Sequence, residues 1–326
     1  MQDVIVSGMR PTGELHLGHY VGVIRNWVKL QNDHRCFYFL ADWHALTSYY
    51  DDLEVIRKYR FEYVRGWLAS GLDPAKVCIY QQSSFPEVLY LEQFFLALTP
   101  PGWADRSPGW KDLQEHPQKR LDNLGFYTYP ILMAADIALL RATKVPVGED
   151  QLTHLEITRE IVRKLNRTYG TDVPEPQGIL TPAARLIGTD GHKKMSSSLG
   201  NTISLKESEK SLRKKINKLR TDDTRQGPTA PGNPANCTVF DYVKAFAGEA
   251  DVQQLEQTCR AGGMSCGECK KCLADKMVAE LMPLAERLSK ISDDDCRQVI
   301  HEGNQKVQVF MKECWQALAD KIKFFS

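Results

Sequence analysis

No apolar run in the 326 residues approaches the roughly 18 that a membrane-spanning helix needs, so the sequence offers nothing for a bilayer to hold. A charged and apolar leader is missing too: the chain opens Met1-Gln2-Asp3-Val4, and a cytoplasmic protein is expected. Internal repeats and low-complexity tracts are absent, which sets aside solenoids and disordered tails. Neither sign of charge is in excess. With 42 Lys and Arg against 41 Asp and Glu the net charge is +1, so a nucleic-acid partner would have to be met by local basic surface. What the chain does have is length and a 42% hydrophobic fraction suited to two domains, and nine cysteines of which five lie between Cys237 and Cys272. The scattered Cys36, Cys78, Cys296 and Cys314 read as small buried apolar residues.

Val4-Ile5-Val6 reads as a short strand that breaks at Ser7-Gly8 and passes through Pro11-Thr12-Gly13 into a helix ending near Leu30. The pattern recurs: Cys36 to Leu40 then a helix over 53–70, and Val77 to Tyr80 then a helix over 88–97. Strands alternating with helices imply βαβ units and a parallel sheet. Between about 100 and 130 the rhythm gives way to a Pro-, Gly- and Trp-rich insertion. A helix over 134–142, the strand Val145-Pro146-Val147 and an amphipathic helix over 152–169 restore it. After Ser204 only polar helical patterns follow, interrupted by a Gly/Pro/Asn loop at 227–236. Lys206 to Arg225 is rich in basic residues and reads as a solvated helix face.

His16-Leu17-Gly18-His19 falls where the first helix should begin. A helix N-terminus presents unpaired N–H groups and a positive dipole end, both suited to phosphate. Gly18 leaves room for a nucleotide against backbone, and two imidazoles three residues apart can share one helical face. A second polar loop, Gly191-His192-Lys193-Lys194-Met195-Ser196-Ser197-Ser198, follows the last sheet-like segment, where lysine and hydroxyls suit closure over a triphosphate. Taken singly, each is equally an ordinary helix start or a solvated loop.

The pair in this order, with strands and helices alternating between, resembles the signature of class I aminoacyl-tRNA synthetases. Ser7 to Gly13, Ala41-Asp42-Trp43-His44-Ala45, Tyr129-Pro130-Ile131-Leu132-Met133-Ala134-Ala135-Asp136 and Val145-Pro146-Val147-Gly148-Glu149-Asp150-Gln151 look most like the tryptophanyl-tRNA synthetase family. That resemblance implies an α/β Rossmann-type catalytic domain over 1–190, with the insertion at 100–130, and an α-helical tRNA anticodon-binding domain over 191–326. It implies activation of L-tryptophan with ATP and Mg2+, transfer to tRNA(Trp), and a homodimer. By the same resemblance Asp136 would accept the indole N–H, since indole nitrogen is a donor only and an ionised carboxylate an acceptor only. Tyr129 and Gln151 would hold the α-amino group, while Met133, Val145, Val147 and His44 would line the ring pocket. Arg10, Pro11, Thr12 and Ile187 would flank adenine, and Gly148, Glu149 and Asp150 would meet the ribose. His16, Gly18, His19, Lys194, Met195, Ser196, Ser197 and Ser198 would surround the phosphates.

Plain core packing is the alternative for Val145, Val147, Ile187 and His44. Two departures stand out: Ser197 replaces the second lysine of the usual Lys-Met-Ser-Lys-Ser loop, leaving Lys194 and Lys193 to carry its share, and 100–110 differs around the expected ATP-contacting Lys111. A tyrosyl enzyme on the same scaffold would want a phenol partner in the first strand, where Val4-Ile5-Val6-Ser7 supplies no tyrosine. A non-catalytic RNA-binding paralogue would not be expected to keep His16, His19, Lys194, Asp136 and Asp150.

Cys237, Cys259, Cys266, Cys269 and Cys272 follow one another with 21, 6, 2 and 2 residues between. Thiolates two residues apart can bind one centre with little strain, and a distant pair completes four ligands. Spacing fits Zn2+ and an iron–sulfur cluster equally. Resemblance to a bacterial branch of the family implies a [4Fe-4S] cluster on Cys237, Cys259, Cys266 and Cys269, with Cys272 spare and the first interval one residue shorter than that branch's commonest pattern.

Overall fold

The computed structural model describes residues 2–116, 118, 120–180 and 186–324, without the side chain of Ser198. The β-branched and aromatic runs form strands, as such residues do on a pleated, buried surface. Val4–Met9 (β1), Arg35–Leu40 (β2), Val77–Gln81 (β3), Lys144–Val147 (β4) and Gln177–Leu180 (β5) make one parallel sheet in the order β3-β2-β1-β4-β5. Leu17–His19 (α1) runs through a π-helical turn at Tyr20–Ile24 into Arg25–Leu30 (α2); Asp42–Tyr49 (α3) and Leu53–Ala69 (α4) then connect β2 to β3. Glu87–Leu98 (α5), Pro101–Ala104 (α6), Pro108–Glu115 (α7) and Leu124–Leu139 (α8) lead to β4, and Leu152–Tyr169 (α9) to β5. Glu209–Lys218 (α10), Thr238–Phe246 (α11), Glu249–Arg260 (α12), Cys266–Lys290 (α13) and Asp293–Ile322 (α14) complete the chain.

The chain builds outward from β1 to β3, then returns past β1 to add β4 and β5. The loops leaving β1 and β4 therefore diverge, opening a crevice at their carboxyl ends, where open α/β sheets bind ligands. Arg10-Pro11-Thr12 leaves β1 and Gly148-Glu149-Asp150 leaves β4, so topology alone brings two of the sequence motifs to that crevice.

Alternation along β1 sends Ile5 to one face of the sheet and Val6 to the other. Around Ile5 gather Trp27, Tyr38 and Trp67, joined by Val239, Phe240, Met277 and Leu281 from the later helices. Around Val6 gather Phe37, Phe39 and apolar residues of α5, α8 and α9, joined by Val307, Met311, Leu318 and Ile322 of α14. The last helix thus belongs to the packing of the sheet. At Gly303 it comes so close that a Cβ would overlap the Ile79 carbonyl of β3.

Several elements differ from the sequence reading, among them β5, where no strand was expected. α3 is a full helix where only a motif stood. The 100–130 insertion holds α6 and α7. α8 begins at Leu124 rather than near Ala134, with Asn123 Oδ1 accepting the Phe126 N–H (2.9 Å) as its cap and Pro130 inside the helix.

Candidate active site

The two phosphate motifs meet at the start of α1. The backbone N–H of Leu17 donates to the Ile203 carbonyl (2.8 Å), and Ser197 Oγ donates to the Glu14 carbonyl (3.1 Å). A Cβ on Gly13 would stand 3.0 Å from Ser197, and one on Gly18 3.6 Å from Met195, so these glycines let the segments approach closely. Ser197 therefore ties the loop down where the usual lysine would add charge.

Buried His16 and half-buried His19 are stacked, their ring centroids 3.8 Å apart. Gly18 N–H donates to His16 Nδ1 (3.1 Å) and His16 N–H to His19 Nδ1 (3.3 Å). An Nδ1 that accepts leaves the ring proton on Nε2, so each neutral imidazole keeps one N–H donor for a ligand. Burial, reinforced by the Lys194 ammonium, pushes His16 down to about 4; burial, then His16 and Lys194, pushes His19 well below its ordinary range. Both rings therefore favour the neutral form, with Lys194 nearby.

The lysine loop is braced from beneath. Ile187 and Lys194 form an antiparallel bridge, Met195 N–H donates to the Leu186 carbonyl (3.0 Å), and Met195 is buried. Asn201, which sequence reasoning missed, accepts Ser196 N–H (2.8 Å) and donates to Asp190 Oδ2 (2.8 Å) and the Lys194 carbonyl (3.3 Å). Tyr242 on α11 donates to the Ile187 carbonyl (2.7 Å), linking the loop to the later helices. Lys193 and Lys194 are solvent-exposed, and the Ser198 side chain lies outside the described residues.

Because α8 starts early, Tyr129, Met133 and Asp136 fall four and three residues apart on one helical face. Asp136 is fully enclosed. Its Oδ2 lies 2.9 Å from His44 Nε2, and Gln82 Nε2 donates to both oxygens at 2.8 Å. Gln82, another residue missed by sequence, is itself held by accepting the Trp43 N–H (3.1 Å). Burial raises the Asp136 pKa, and the donors from His44 and Gln82 pull the other way, favouring the ionised acceptor. Val145 and Val147 are buried in the β4 core and Met133 packs beside them.

Contacts continue from His44 to the Tyr129 ring (centroids 6.4 Å) and from Tyr129 to His154 (4.9 Å), whose Nδ1 lies 2.9 Å from Gln151 Oε1. Gln151 Nε2 donates to Asp150 Oδ2 (3.0 Å). A Cβ on Gly148 would stand 2.7 Å from Asp150 Oδ1, so a side chain there would make the Asp150 carboxylate move; Glu149 beside it is exposed. Arg10 reaches Ser48 Oγ (3.4 Å) behind the buried Pro11 and half-buried Thr12, and Lys111 sits exposed on α7.

Cys237, Cys259, Cys266 and Cys269 line one cavity, to which Cys272 does not contribute. Cys237 precedes α11, Cys259 lies in the last turn of α12, and Cys266 and Cys269 occupy the first turn of α13, capped by Ser265 with Glu268. Arg225 Nη1 donates to Cys266 Sγ (3.4 Å). Burial raises Cys237, Cys259 and Cys269, the last to about 12 with its neighbouring thiols adding to the effect. Among the described residues no group of three or more His, Cys, Asp or Glu side chains is gathered so as to hold a metal ion.

Residues 2–282 match the family described as class I tRNA synthetases (W and Y). The chain is 44% identical over 309 residues to a tryptophan–tRNA ligase of Thermotoga maritima, covering 93% of this chain and 94% of that one. It is 37% identical to a tryptophan–tRNA ligase of Aquifex aeolicus, covering 93% and 95%. A crystal structure of the Campylobacter jejuni tryptophanyl-tRNA synthetase complexed with ADP and tryptophan superposes with a TM-score of 0.82 at 31% identity, covering 98% of this chain and all of that one.

Proposed function

The chain belongs to the class I tRNA synthetases of the tryptophan and tyrosine type, and we infer that it ligates L-tryptophan to tRNA with ATP. The observation that carries this reading is Asp136: a buried carboxylate on α8, held by Gln82 just past β3 and by His44 on the helix that follows β2. Such an acceptor suits an indole N–H and penalises a phenyl ring, which would leave it unpaired.

Substrate carboxylate oxygen attacks the α-phosphorus of ATP; a P–O bond forms, the bond to the β-phosphate oxygen breaks, and pyrophosphate leaves. A ribose hydroxyl at the tRNA 3′ end then attacks the acyl carbon, loses its proton and releases AMP. No protein nucleophile is needed, so catalysis rests on positioning and on charge stabilisation. His16 and His19 supply neutral Nε2–H donors, Lys194 a positive charge, and Asp150 acceptors for ribose hydroxyls, with Mg2+ arriving on the nucleotide. Tyr129 and Gln151 take the α-ammonium. Arg10, Pro11, Thr12 and Ile187 bound the adenine.

By the resemblance Cys237, Cys259, Cys266 and Cys269 would hold a [4Fe-4S] cluster, Zn2+ being the alternative; the four thiols line one cavity, although as placed they are not gathered closely enough to hold an ion. The group would supply a cross-link between the starts and ends of α11, α12 and α13. We assign 191–326 to the anticodon end of the tRNA, and a cytoplasmic homodimer as the working form; no helix among the described residues is long and apolar enough to cross a membrane.

Amino-acid-dependent ATP–pyrophosphate exchange tests the reading. Exchange driven by tryptophan and not by tyrosine is expected, and exchange with tyrosine alone overturns it.

A further inference from the structure

His154 has no part in the chemistry above, yet it touches both residues assigned to the α-amino group. It lies in the first turn of α9 at 1% exposure. Its Nδ1 stands 2.9 Å from Gln151 Oε1, and its Nε2 stands 2.9 Å from the Tyr129 hydroxyl and 3.0 Å from Ser107 Oγ. An amide oxygen can only accept, so Nδ1 carries the ring proton and Nε2 is the acceptor. Nε2 offers one lone pair to two hydroxyls; with Ser107 hydrogen-bonded to the Tyr129 oxygen, Tyr129 is the one that donates its O–H to Nε2, which leaves one lone pair of that oxygen for a further donor. The Gln151 carbonyl, held by Nδ1–H, keeps its second lone pair. An ammonium group has three donors and no acceptor, so it needs oxygens presented in this polarity.

We propose that His154 is a positioning residue that sets the polarity of the α-ammonium site, holding the Gln151 carbonyl and orienting the Tyr129 hydroxyl so that both oxygens face the substrate as acceptors. The inference rests on the assignment of Tyr129 and Gln151 to that group. Burial keeps the ring neutral, with His44 acting in the same direction and the Asp150 carboxylate opposing it, and so the polarity holds at neutral pH. A protonated ring would donate from Nε2, reverse Tyr129 and set an O–H against the ammonium.

The test compares L-tryptophan, through its KM in pyrophosphate exchange, with indole-3-propionate, through its Ki; the latter keeps indole and carboxylate and lacks the amino group. His154→Leu keeps bulk and removes both ring nitrogens, whereas His154→Asn keeps a donor near Nδ1 and carries the test should the leucine variant not fold. His154→Leu is expected to raise the ratio of KM to Ki about 10- to 100-fold. His154→Asn should raise it less, with kcat and the KM for ATP nearly unchanged in both. A ratio left unchanged, with both constants rising together or neither moving, overturns the proposal. Tyr129→Phe separates the two levels: if it too leaves the ratio unchanged, the assignment of the amino site fails; if it alone shifts the ratio, only the role of His154 fails.

Discussion

Asp136 shows how a single group acquires a function from its neighbours. A carboxyl enclosed in protein tends toward its neutral form. Here His44 and Gln82 place donors on both oxygens and favour the charge that an indole N–H needs. Gln82→Leu should therefore raise the KM for tryptophan about tenfold or more, the scale of a lost hydrogen bond to a charged group, while the KM for ATP stays put. Steady-state exchange kinetics check this, and equal effects on both substrates would mean that Gln82 merely supports the fold. Asp136 was singled out in the sequence by its flanking motif. Gln82 was not, since a glutamine directly after a strand carries no local mark of its partner 54 positions away.

At the scale of elements, the lysine loop depends on groups outside its motif. Asn201 holds Ser196, Asp190 and Lys194, and Tyr242 holds Ile187. Asn201→Ala is expected to raise the KM for ATP several-fold, by about 1–2 kcal/mol per buried group left unpaired, with tryptophan binding unchanged in equilibrium titration. Loss of tryptophan affinity as well would show that the damage is not confined to the loop. The cysteine cavity gives a second prediction: purified protein should be brown and contain about four irons per chain by metal analysis. Colourless protein with one zinc per chain would refute the cluster. The strands β1, β2 and β3 were readable because their apolar runs are bounded by turn residues. β5 was not: Gln177-Gly178-Ile179-Leu180 is a short edge strand without alternation. The start of α8 was hidden by Pro130, which usually ends a helix; here the helix continues through it, and that continuity sets Tyr129 on the same face as Asp136.

Over the whole molecule, buried neutral histidines make stability depend on pH. His16 and His154 titrate near 4 in the fold against 6.5 ordinarily, so between those values the unfolded chain binds more protons. Their contribution is complete above pH 6.5 and is lost as pH falls toward 4. The melting temperature should drop through that window, and His154→Leu should flatten part of the drop; an identical pH dependence in the variant would deny His154 that share. The later helices pack into both faces of the sheet, a union of two sequence regions that periodicity alone did not announce, since contacts such as Gly303 against β3 appear only in three dimensions. The central claim is that this assembled crevice selects tryptophan through Asp136. Its most direct test is the ratio of kcat/KM for tryptophan to that for phenylalanine in pyrophosphate exchange, measured on the native enzyme and on Asp136→Ala. A ratio on the order of 10⁴ that collapses toward unity in the variant is the predicted result; a ratio that survives the substitution would contradict the account.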